Sequence, residues 1–306
     1  MYNGRERLCD LKGTTKMKEL VKEREMHFPV DFNVTGRLKA AAGHLAAVIS
    51  GFLSAGAVMI GGMSPLGTAL VAGLPLKYVP AASLGTLSGY IFPLFGKRGL
   101  KYIAALLAVT VIRLLLSGTR KIQLTAVMSA IIAGAVLTGV NVASAGGDVL
   151  GKGALGLAEG MMAGGCAYFL NRSSEILSKR HNGLTDEQTA SLLISANLAL
   201  TALYNVGADG ISSGVIASIV FILLAARYGR SGMAAVCSVS AATAAFLSGC
   251  KIEAALLLCI SGLAAGVMSG IGKIAAACAP AAVSAVYVLS TAASPVSSAM
   301  LIESVA

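Results

Sequence analysis

From Ala40 onward the chain alternates long apolar stretches with short polar interruptions. The stretches lie near 41–62, 78–96, 99–117, 122–144, 149–171, 187–204, 210–227, 231–249, 252–270 and 273–292. A helix needs about 20 residues, within a range of about 17–25, to cross the hydrocarbon layer of a bilayer, so the pattern predicts about ten transmembrane helices. Most connections are short, which makes sequence neighbours antiparallel neighbours in space. One segment breaks the pattern. "GGMSPLGTALVAGLP", residues 61–75, is apolar but carries four glycines and two prolines. Pro65 and Pro75 bracket too few residues to cross alone, so 64–76 is expected to form a short half-helix or re-entrant hairpin, which protein must cover because its freed backbone groups find no water at membrane depth.

The expected organisation is a cytoplasmic arm over 1–40, a first five-span half over 41–171, a connecting loop over 172–186 and a second five-span half over 187–306, with both ends cytoplasmic. The arm holds nine Lys or Arg and six Asp or Glu and lacks the pattern of a signal peptide. "GKRGLKYIAALLAVTVIRLLLSGTRKIQ" from Gly96 and "YGRSGMAAVCSVSAATAAFLSGCKIE" from Tyr228 run alike from a basic glycine turn to L-S-G and K-I-[QE]. If the match is a duplication, an odd number of spans per unit makes the two repeats inverted. Charge checks the topology only in part. Lys97, Arg98 and Lys101 fall inside as the positive-inside rule asks, but Arg172, Lys179 and Arg180 fall outside; making 64–96 two short spans reverses this and sends the C-terminus out.

Composition agrees with an all-α, polytopic bundle. The chain is 56% hydrophobic and 12% charged, with 36 glycines and no tryptophan, and its mean hydropathy is +0.79. Spans of this kind pack by close backbone approach, and a barrel, with alternating strands and aromatic girdles, is excluded. The net charge of +10 is scattered over span ends and the arm, a pattern of lipid-headgroup contact rather than nucleic-acid binding. Neither the six cysteines nor the three histidines show ligand spacing, so no metal, cofactor or disulfide framework is expected. No G-x-S-x-G, Walker loop or H-E-x-x-H is present, and the chain as it stands is read as no enzyme.

Two charges inside apolar stretches stand out as candidates. Glu159 shares a helical face with Lys152 and sits among Gly156, Gly160 and Gly164, whose four-residue spacing lets another helix approach at the level of the carboxylate. It is either a proton or cation relay or sensor, or a partner in an ion pair or amide bond that fixes helix register. Arg113 lies near a span end, from which its guanidinium is expected to snorkel to the interface. Gly262, Gly266 and Gly270 form a second small-residue face for helix pairing, within the chain or with another copy, and Asn197 and Asn205 are expected to bond neighbouring helices.

Several stretches together resemble the ten-span membrane region of the stage II sporulation protein E family. They are "LTDEQTASLLISANLALTAL", the "GRSGMA" entry to the eighth stretch, "SGLAAG" closing on "GIGK", "MSPLGTALVAG" after the first stretch and "LAEGMMAG" around Glu159. The resemblance covers about 40–300. It implies an anchoring, clustering and sensing region in the bacterial cell membrane at the polar sporulation septum. In that family a manganese-dependent PP2C-type serine phosphatase domain follows, which activates the forespore sigma factor, and division-septum proteins are partners. None of the phosphatase or manganese residues occurs here, so the chain is expected to be the membrane region alone or a truncated form. The alternative reading is a secondary transporter, built from an inverted repeat, a broken helix and a buried carboxylate; a polar cavity reaching Glu159 separates the two.

Overall fold

Glycine and proline decide where the first helix stops and how the chain turns back. In the computed structural model, which describes residues 32–92, 99–118, 125–144, 149–178, 184–208 and 211–290, α1 (Phe32–Gly56) ends before Gly61 and Gly62, both at φ near +78°, a conformation that costs glycine nothing. Pro65 then starts α2 (Leu66–Gly73), an eight-residue helix buried at every position. Pro75 and a 3-10 turn (Leu76–Tyr78) lead into α3 (Val79–Ile91). The chain divides into two compact units, Met1–Gly43 and His44–Ala306, and the bundle is the second.

The remaining helices are α4 (Leu100–Gly118), α5 (Ala126–Ala143), α6 (Val149–Ser178), α7 (Asp186–Tyr204), α8 (Ser213–Leu247), α9 (Ile252–Met268) and α10 (Lys273–Ser290). Apart from a two-residue antiparallel pairing of Gly207–Ala208 with Ile211–Ser212 between α7 and α8, the described chain is all-α. Thr125 caps α5, and Thr185 with Gln188 forms a capping box at the start of α7. α8 has two arms, Ser213–Tyr228 and Gly232–Leu247. Along one straight helix Ile222 and Ser238 would stand about 24 Å apart, yet both would touch a methyl group added at Gly262 of α9. The arms therefore fold back on each other, where the sequence has its seventh and eighth apolar stretches.

Contacts fix the direction of each leg. His44 packs on Tyr78, Gly51 on Ala82 and Thr86, and Phe52 on Gly89 and Phe92, so α1 and α3 are parallel. The broken segment is the return leg between them. α2 and α3 are about 12 Å and 20 Å long, each short of a crossing; whether they count as two short legs or one re-entrant hairpin, α1 and α3 finish at the same end. From there α4 runs back, and the legs alternate: Lys101 meets Asn141, Ser129 meets Ala167, Ser173 meets Ser191, and Tyr204 meets Ser218. Tyr287 of α10 reaches Glu253 at the start of α9, which puts Ser290 at the end of the bundle opposite His44.

Three expectations change accordingly. The ten-stretch count would leave both ends on one side, whereas the described chain makes an odd number of legs between His44 and Ser290, which puts the two at opposite ends. The connection over 172–186 shrinks, because α6 continues helically to Ser178: Asn171 and Ser173 are not a polar interruption but buried bonding residues of the helix. And Gly270 lies in the turn after α9, exposed, whereas Gly262 and Gly266 are buried in the helix. The stretches from Gly96 and Tyr228 that match in sequence form α4 and the second arm of α8, which run in opposite directions.

The parallel α1–α3 contact rests on missing side chains. A Cβ at Gly85 would collide with the Val48 carbonyl oxygen and lie 2.8 Å from the Val48 carbonyl carbon and Cα, backbone atoms that have no rotamer with which to yield. Gly85→Ala is expected to destabilise the bundle by about 1–3 kcal/mol through overpacking. Gly139→Ala, where a Cβ meets nothing within 4 Å, is expected to stabilise it by about 0.5–1 kcal/mol through helix propensity. Reversible unfolding of the two variants checks the opposite signs; equal effects would remove the close approach of α1 and α3.

Candidate functional site

A buried half-helix leaves backbone N–H groups at one end and C=O groups at the other without intrahelical partners. At the N-terminal end of α2 the hub is Ser64. Its N–H donates to Oε1 of Glu159 at 3.0 Å and to the Tyr102 hydroxyl at 3.1 Å. Its own hydroxyl donates to the carbonyls of Ala55 and Ala57, at 3.1 and 3.0 Å, just where α1 finishes. The Tyr90 hydroxyl donates to the Ser64 carbonyl at 3.3 Å, and its ring stacks on that of Tyr102 with centroids 5.6 Å apart.

Glu159 completes this cluster. It is 2% exposed, and its partners are all donors. Oε1 accepts from Ser64 N–H and from the Tyr102 hydroxyl at 2.5 Å. Oε2 accepts from Asn141 Nδ2 at 2.8 Å and faces Lys101 Nζ at 3.7 Å. Lys101 also donates to Asn141 Oδ1 at 3.1 Å and lies over the Tyr102 ring. The Asn141 amide is thereby oriented on both sides, oxygen to the ammonium and nitrogen to the carboxylate. The cation supplied to Glu159 is Lys101, from α4; Lys152, the same-face residue on α6, is exposed.

The glycine face of α6 makes this possible. Cβ atoms at Gly156 and Gly164 would lie 2.6 Å from Asn141 Cβ and 2.9 Å from the Ala130 carbonyl, and one at Gly160 would lie 2.7 Å from the Gly134 carbonyl. α5 and α6 thus meet nearly backbone to backbone, which brings Asn141 within reach of a carboxylate as short as glutamate's.

At the other end of α2 stands Arg113. Rather than snorkelling outward it is 2% exposed and turned into the bundle, where Nη1 donates to the Ala72 carbonyl and Nη2 to that of Leu74 at 2.5 Å. Asn171 Nδ2 donates to the Gly73 carbonyl between them at 3.1 Å. Three successive carbonyls are satisfied in this way, and the guanidinium sits at the negative end of the helix dipole while the carboxylate sits at the positive end. The cause is local: the neighbouring half-helix offers buried carbonyl acceptors within reach of the guanidinium. Pro65 and Pro75 bracket the clamped helix.

Asn197 lies apart from this site, donating to the Thr243 hydroxyl of α8 at 2.8 Å. Among the described residues no group of three or more His, Cys, Asp or Glu gathers to hold a metal, and Cys166, Cys237, Cys250, Cys259 and Cys278 are not in disulfides. Sequence reasoning singled out Glu159 and Arg113 but not Ser64, Tyr102, Asn141 or Asn171. Each is a polar residue inside or beside an apolar stretch, a signal equal in strength to the one that drew notice to Asn197.

The two clamps are expected to act as one device. Glu159→Gln turns one acceptor oxygen into a donor that faces other donors, and Arg113→Met leaves the Ala72 and Leu74 carbonyls bare; each is expected to cost about 1–3 kcal/mol. The double variant should lose less than the sum, by at least about 0.5 kcal/mol, because freeing one end of α2 already loosens the other. Strict additivity in unfolding measurements would show that packing alone holds the half-helix.

No family model, curated protein or solved structure matches the chain.

Proposed function

We propose that the chain is a multi-pass membrane body whose task is to anchor and cluster, and that it serves a sporulation phosphatase of the stage II sporulation protein E type. One observation carries the membrane part: polarity is distributed inside out. Leu107, Leu115, Ile131, Met161, Leu256 and Val286 are exposed, while Glu159, Arg113, Asn141, Asn171, Thr68 and Thr201 are buried. A soluble surface rarely exposes so many large apolar side chains, whereas a lipid-facing surface requires them and drives polar groups inward. By length and composition one described helix, Ala126–Ala143, suffices to cross a membrane, and the other apolar helices are shorter, at 10–17 residues. Short legs of this kind suit a bundle that also holds a re-entrant pair.

Basic residues supply the orientation. Lys77, Arg172, Arg227 and Lys273 lie at the His44 end of the bundle, and the sequences connecting helices there add Arg120, Lys121, Lys179 and Arg180. The opposite end has Lys101, Lys152 and Lys251, with Lys97 and Arg98 in its connections. The His44 end is therefore the cytoplasmic one, and the Arg172 region obeys the rule that a ten-span count makes it break. The phosphatase role rests on the resemblance. It adds a condition: a cytoplasmic domain after α10 requires one more crossing beyond Ser290, or an outward-facing His44 end.

A transporter is the second reading, favoured by the half-helix whose N-terminal end meets a buried carboxylate. Against it, both oxygens of Glu159 are already taken by protein donors. Loss of an ion-dependent flux in proteoliposomes of Glu159→Gln, with the fold intact, would reverse this preference.

In a chain whose native cysteines are replaced, Gly270→Cys in the α9–α10 turn is expected to label only from the cytoplasm, and Ser248→Cys before α9 only from outside. The reverse pattern turns the His44 end outward, as a cytoplasmic domain directly after α10 would require, and recovery of the chain in the soluble fraction removes the membrane reading. A fluorescent fusion in a sporulating, endospore-forming bacterium is expected at the polar septum; an even distribution around the cell would remove the sporulation role and leave the anchor.

A further inference from the structure

The groove at the His44 end of the second half differs in kind from the clamped half-helix. It has a volume of about 390 Å³ and lies between the end of the first arm of α8 and the turn that joins α9 to α10. Val220, Leu223, Leu224 and Ala276 form apolar walls, and Arg227 and Lys273 stand among them, with Ser269 beside them donating its hydroxyl to the Gly266 carbonyl at 2.6 Å. The two cations come from segments far apart in sequence. Both are exposed, and among the described residues no carboxylate stands within ion-pair distance of either. Arg227 lies over the ring of Tyr228, a residue type suited to the headgroup level of a bilayer.

We infer that this groove binds an anionic phospholipid, its phosphate held between Arg227 and Lys273 and an acyl chain laid along Leu223, Leu224 and Ala276. The inference rests on the membrane reading. Charge complementarity selects the occupant: a zwitterionic headgroup would bring its own cation beside two others, and an acidic peptide would leave the apolar walls unused. Its place at the basic end matches the leaflet in which anionic lipids concentrate, where basic pockets between helices recognise such headgroups. An annular lipid needs no built cations, so the site separates a bound lipid from bulk solvation.

The absence of tryptophan makes a single introduced one a clean reporter. Leu224→Trp, and independently Val220→Trp, would be reconstituted in phosphatidylcholine vesicles containing either brominated phosphatidylglycerol or brominated phosphatidylcholine. Quenching is expected to favour phosphatidylglycerol by about tenfold in relative affinity, given two cations near an anionic headgroup. That preference should vanish when Arg227→Gln and Lys273→Gln are combined. Leu115→Trp, on a lipid-facing part of α4, is expected to show no preference. Equal quenching by both lipids at position 224 or 220, the same preference at 115, or an undiminished preference in the double variant overturns the site while leaving the membrane reading intact. Loss of the preference on adding glycerol phosphate assigns the groove to a free phosphate ester and overturns the lipid. Quenching by neither lipid at any position overturns both.

Discussion

A helix of eight residues inside an apolar bundle has nearly as many unsatisfied backbone groups as satisfied ones, and the fold of the first half is arranged around that fact. Water cannot reach the ends of α2, so side chains take its place. Ser64 passes its N–H to Glu159 and Tyr102, and Arg113 and Asn171 cover the carbonyls of residues 72–74. Opposite charges stand at opposite ends of one dipole. Each helps locally with the groups it bonds, and together they satisfy backbone groups that burial of a breaker-rich segment would otherwise leave bare.

That segment also sets the direction of everything after it. Because the chain returns between α1 and α3, the two are parallel, and every later leg is reversed relative to a count that treats the second apolar stretch as an ordinary crossing. A local matter of glycine and proline thus decides which end of the bundle carries most of the basic residues. The same reversal places Arg227 and Lys273 together at that end.

Small residues do the complementary work. Gly156, Gly160 and Gly164 remove the side chains that would keep α5 and α6 apart, and only then can Asn141 orient between Lys101 and the carboxylate. With both of its oxygens engaged, Glu159 is spent on holding three helices and the start of α2 in register.

By itself the sequence determined that the chain is helical, where its apolar stretches lie, that Pro65 and Pro75 break it, and that the Gly156–Gly164 face lies against another helix. These are properties of local composition and spacing: backbone propensities and the 3.6-residue period act within a turn or two. Tertiary structure alone decided that Arg113 points inward, that Lys101 rather than Lys152 approaches Glu159, that Asn171 and Ser173 belong to a helix, and that α1 and α3 are parallel. In each case the deciding partner lies tens of residues away. In segments that are apolar on every face, periodicity does not mark which side is buried, so partner and direction emerge only when the helices are packed.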